Sequence, residues 1–128
     1  MLTKVAFVSA LALMLPAAAF AADLTGEIVT AGTHAQLAAN AGDLGMVHMH
    51  LHHTVNCLVG PKGADFDPTN INPCAGSGNG AIVDSTDTAQ IQKLNAAVAT
   101  AEAGIVSPDV ATAKMDATSV YSQLQAAK

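Results

Sequence analysis

The sequence predicts an all-α fold, a small antiparallel helical bundle of about four helices with one long loop tied by a disulfide. Three observations lead there. Apolar residues recur at steps of three and four in several stretches bounded by helix-capping residues. A single segment dense in Gly, Pro, Asn and Asp separates the first two of these stretches from the last two. Cys57, at the end of the second helix, and Cys74, near the middle of the loop, are the sole cysteines of the 128-residue chain, an even pair suited to a bridge.

The first element is an export signal over residues 1–21. Lys4 supplies a positive start, Val5 through Leu15 an apolar run, and Ala19-Phe20-Ala21 a small-residue cleavage site. The run is shorter than the ~20 residues a helix needs to cross a bilayer, and Pro16 interrupts it, so no membrane anchor is expected in the mature form. Residues 22–128 then form a single helical, metal-binding domain in the periplasm or outside the cell. Beyond the signal, ten acidic residues face four lysines, which leaves six net negative charges. That balance repels a phosphate backbone, so no nucleic-acid partner is expected. In an oxidising destination Cys57 and Cys74 pair, and a loop of this length stabilises the fold by ~3 kcal/mol on the loop-entropy model.

Gly26 to Gly32 reads as a lead-in, followed by a first helix from about His34, capped by Thr33, with Leu37, Ala38 and Ala41 on its apolar side. Gly42-Asp43-Leu44-Gly45 breaks the pattern. A second helix runs from Leu44 or Met46 to Leu58 and ends at Gly60-Pro61, although one continuous helix through the glycines is the alternative. Val59 to Ser85 is turn chemistry and forms the long loop. A third helix after Asp84-Ser85-Thr86-Asp87 carries Ile91, Leu94, Val98 and Ala101 on one side and stops at Gly104. The last starts at Ser107-Pro108-Asp109, with serine as cap and proline in the first position, and buries Val110, Ala113, Ala117, Val120 and Leu124.

Chemistry concentrates in Met46-Val47-His48-Met49-His50-Leu51-His52-His53, which holds four of the five histidines. At about 100° per residue, Val47, Leu51, Val55 and Leu58 form an aliphatic stripe, while Met46, Met49, His50, His53 and Cys57 line the opposite side. His48 and His52 sit one turn apart at the border. His48 with His52, and His50 with His53, both have the spacing at which two imidazoles reach one ion. If the chain reverses near Asp43, His34 faces about His53 and supplies a ligand from a second helix. The expected metal ligands are therefore drawn from His34, Met46, His48, Met49, His50, His52 and His53.

Imidazole suits copper and zinc, thioether favours Cu(I), and a bridged Cys57 offers no thiolate, so copper ion leads, with zinc and haem as alternatives. The function expected is capture or carriage of the metal, with an unidentified metal-exchange partner protein. A b-type haem protein with two axial histidines and a non-catalytic interaction bundle are the competing readings. Covalent haem attachment is unsupported, because Cys-x-x-Cys-His is lacking, as are Gly-x-Ser-x-Gly, His-Glu-x-x-His and a phosphate-binding glycine loop, so no enzyme is expected. Asp65-x-Asp67 with Asn70 and Asn72 partly matches a calcium loop but lacks its glycine and terminal glutamate.

Overall fold

A computed structural model describes residues 21–128; the export signal expected over 1–21 falls almost entirely outside the described residues. Among the described residues five helices follow one another: α1 (Leu24–Asn40), α2 (Leu44–Val59), a single turn α3 (Ala81–Asp84), α4 (Thr88–Val106) and α5 (Val110–Gln125). The four long helices form a closed ring in which α1 packs on α2, α2 on α4, α4 on α5 and α5 back on α1. Neighbours run antiparallel. The Lys114 ammonium at the start of α5 donates to the Ala41 carbonyl at the end of α1 (3.0 Å), and His48 early in α2 reaches the Ser107 carbonyl beyond the end of α4 (3.0 Å). None of the described helices is long and apolar enough to cross a membrane.

The core is thin, and small residues keep it close-packed. Ile28, Ala31, Ala35 and Ala38 of α1 meet Val47, Leu51, Val55 and Leu58 of α2, with Leu94, Ala97 and Ala101 of α4 and Ala113, Ala117, Val120 and Leu124 of α5 closing the interior. Alanine on α1 lets the α2 backbone approach closely, because interaxial distance follows side-chain size at the contact.

Two helix starts differ from expectation for one reason, an aspartate upstream or downstream of the serine or threonine that the sequence offers. α1 begins at Leu24 rather than near His34, because the Asp23 carboxylate accepts the Gly26 N–H (2.9 Å) and caps the helix ten residues earlier than Thr33 would. Burial of Glu27, Ile28 and Ala31 holds that extra stretch helical, offsetting the ~1 kcal/mol cost of each internal glycine. Within it, Thr33 donates to the Val29 carbonyl instead of capping, and Leu37 is 45% exposed rather than apolar-facing. α5 starts at Val110 because the Asp109 carboxylate accepts the Thr112 N–H (2.7 Å), leaving Ser107 to close the preceding turn and Pro108 ahead of the cap. Val110 itself is solvent-exposed.

Gly104 does not stop α4. It is buried within the helix, where a Cβ would stand 2.7 Å from Leu51 Cδ1 and 3.1 Å from Asp116 Cβ, so the glycine serves the crossing with α2 and α5. The end of α2 is as expected. Gly60 has φ 69°, and a side chain there would collide with the Asn79 backbone.

The long loop contains α3 and is held at three points. Cys57 and Cys74 are disulfide-bonded, with Cα atoms 5.1 Å apart. The buried Asn56 side chain accepts the Asp67 N–H (2.9 Å) and its amide reaches the carbonyls of Asp67, Asn70 and Ile71. Glu27 Oε1 accepts the Gly80 N–H (2.9 Å), while Oε2 is buried with no hydrogen-bond partner among the described residues.

Burial pushes the Glu27 carboxyl up to about 7, with the charges of Asp84 and Asp23 adding to the effect and the Gly80 N–H opposing it. The folded protein therefore keeps a proton that the unfolded chain releases from about pH 4.5 upward, so this residue makes stability fall as pH rises from that point through 7. Urea unfolding of wild type and Glu27→Gln at pH 4.5 and pH 8 measures the term: the substitution is expected to raise the relative midpoint at pH 8, and parallel profiles contradict the assignment.

Candidate metal centre

The turn Ala41–Asp43 reverses the chain, and Asp43 starts α2 by accepting the Met46 N–H (2.9 Å). Residues equidistant from the turn then face one another. Buried Thr54 fixes the register, its hydroxyl lying within reach of the Ala31 carbonyl of α1 (3.2 Å) and the His50 carbonyl of its own helix (3.0 Å). His34 is thereby set against His50 and His53.

The three imidazoles converge. Nδ1 of His34 is 3.2 Å from Nδ1 of His50 and 3.4 Å from Nδ1 of His53. One ring nitrogen from each of the three lies within 4.8 Å of the others, and these residues are the group of three or more His, Cys, Asp or Glu among the described residues that could hold a metal ion. Ring centroids are 5.0–5.7 Å apart; His53 stands edge-on to both neighbours, and His34 is tilted 41° to His50. His34 and His50 are half-buried, His53 is 7% exposed.

This arrangement suits a cation better than protons. A neutral imidazole nitrogen is a donor or an acceptor, never both. Nδ1 of His34 can satisfy His50 and His53 together only by sharing one proton or one lone pair between two partners. A metal–imidazole bond of about 2.0–2.1 Å in tetrahedral geometry separates ligand nitrogens by about 3.3 Å. The observed 3.2 and 3.4 Å match that figure. Protonation is resisted as well. Burial, followed by the neighbouring His53 and His50, lowers His34 to about 4; burial lowers His50; burial, then His50 and His52, lowers His53. Neutral imidazole is the ligating form.

The other sequence-predicted ligands stand elsewhere. Nε2 of His48 donates to the Ser107 carbonyl, tying α2 to the α4–α5 turn. Nδ1 of His52 lies 3.3 Å from Asp67 Oδ2, an ion pair when the imidazole is protonated. Hydrogen bonds from Thr69 and Asn70, then the His52 charge, hold that aspartate down to about 2. His52 also lines a concavity of about 330 Å³ with Val55, Asp65, Asp67, Glu102, Ile105 and Val106, whose walls include none of the three clustered histidines. Met46 and Met49 are outside the three-nitrogen group, although they share the α2 face of His50 and His53, and are 44% and 37% exposed. Cys57, bridged to Cys74, presents no thiolate.

Sequence reasoning missed Asp67 and the Ser107 carbonyl as the groups that occupy His52 and His48. Asp67 lies in the loop and Ser107 in a turn, and nothing in the spacing of α2 points to either. No family model matches the chain, and no curated protein or solved structure is significantly similar to it.

In the metal-free protein the lowered histidines oppose acidification. The unfolded chain takes up protons near pH 6.5 while His34 stays neutral to about 4, so their contribution is complete above 6.5 and is lost as pH falls through that window. A histidine-selective NMR titration should show His34, His50 and His53 all titrating below the ordinary value, with His34 lowest near 4. Three midpoints at the ordinary value contradict the geometry.

Proposed function

We propose that the protein is an exported metal-binding protein that captures or carries copper on His34, His50 and His53. The observation that carries this reading is the convergence of three imidazoles from two helices of one hairpin, with His34 Nδ1 3.2 and 3.4 Å from the Nδ1 atoms of its two partners. The disulfide supports an oxidising compartment such as the periplasm, since such bridges persist there. A three-nitrogen set with no carboxylate ligand favours borderline transition metals over calcium or magnesium, which take oxygen. Between copper and zinc, the ordinary order of affinity of divalent metals for a nitrogen set favours Cu(II).

Bis-histidine haem is less well supported. Axial nitrogens on opposite sides of one iron stand on the order of 4 Å apart, twice a metal–imidazole bond, with the macrocycle between them. Here the nitrogens are closer than that and converge directly. Binding and carriage, rather than catalysis, is the role proposed, because the three histidines face one another as a ligand set.

Competitive titration with Cu(II) and Zn(II) tests the reading. Each of His34→Ala, His50→Ala and His53→Ala should weaken copper by at least about a hundredfold, more than the 10–100-fold typical of losing only an outer-shell partner. His48→Ala and His52→Ala should change it little. Equal losses across all five variants, or none in the first three, reject the site, and tighter retention of zinc than copper against the metals' ordinary order of affinity rejects copper as the cargo.

A further inference from the structure

Met46, Met49, His50 and His53 form one continuous stripe on α2. Their steps of three and four put Met46 beside both Met49 and His50, and Met49 beside His53, at Cβ separations of about 5–6 Å. Over a rise of about 1.5 Å per residue the stripe is roughly 10 Å long. Exposure falls along it, from the two methionines through half-buried His50 to buried His53. Met46 and Met49 stand at the open end of this stripe, so their thioethers are accessible to an ion from solvent.

We infer that Met46 and Met49, with His50, form a second, outer subsite for a soft monovalent cation of the Cu(I) type, beside the three-histidine centre. The inference rests on the metal-binding reading above and adds a second, softer subsite next to that centre. Two thioethers and one imidazole are a soft set that favours Cu(I), whereas three imidazoles without sulfur accommodate Cu(II) and Zn(II). Methionine has three rotatable bonds, so Sδ of either residue can swing over His50 without moving the backbone. His50 belongs to both sets.

Ag(I), a redox-inert stand-in for Cu(I), provides the probe. The purified protein is labelled with 13C at the methionine methyl groups and titrated with Ag(I) by NMR and calorimetry, in parallel with Cu(II). Met46 and Met49 signals should shift together on addition of one equivalent, while that of Met115, 64% exposed on α5, should not. Met46→Leu with Met49→Leu should weaken Ag(I) at least about tenfold and leave Cu(II) within about twofold, as expected when soft ligands alone are lost. Met115→Leu should leave both unchanged. His34→Ala should show the reverse pattern, losing Cu(II) and keeping Ag(I). Leucine at two solvent-exposed helical positions preserves the fold, which an unchanged circular dichroism melt verifies. Unchanged Ag(I) affinity in the double methionine variant, or methyl shifts shared by Met115, overturns the subsite. Cu(II) binding that survives His34→Ala instead overturns the three-histidine centre and leaves the methionine result to stand separately.

Discussion

The reversal of the chain at Ala41-Gly42-Asp43 is the constraint on which the candidate centre depends, since α1 alone contributes one histidine and α2 alone two in the cluster. An uninterrupted helix would place His34 and His50 roughly 24 Å apart, at about 1.5 Å per residue. The turn brings them within 3.2 Å. What holds the turn is modest: Asp43 capping α2, Lys114 of α5 on the Ala41 carbonyl, and the alanine stripe of α1 that lets α2 lie close. The same reversal aligns the aliphatic side of α2 with the interior, so core and centre share one register.

Much of this was legible in the periodicity of the chain. The aliphatic stripe Val47, Leu51, Val55 and Leu58 is buried as read, the hairpin pairs His34 with His53 as its symmetry requires, and Cys57 meets Cys74. These features follow from spacing alone. The remainder was set by tertiary partners that spacing does not encode. Asp23 extends α1 through Gly26 and Gly32, and Gly104 stays helical because Leu51 needs its room. His48 and His52 carry the same local signal as His50 and His53, yet a carbonyl beyond α4 and a loop aspartate claim them. Helical spacing identifies neighbours on one helix; it is silent on which neighbour turns inward.

Two opposing proton-linked terms act on this small fold. Glu27, at the base of the disulfide-tied loop, keeps a proton into the neutral range, while the histidine cluster resists taking one in the acidic range. Glu27 destabilises the metal-free fold as pH rises, and the imidazoles do so as pH falls. A metal ion on the cluster adds its binding free energy to the folded state and depresses imidazole protonation further, which couples loading to the stability of the α1–α2 hairpin.

X-ray absorption of the protein carrying one equivalent of Cu(II) measures the central claim directly. The account requires a first shell with three imidazole nitrogens at about 2.0 Å and the outer-ring scattering that imidazoles produce. A shell dominated by oxygen, with one imidazole or none, would contradict it.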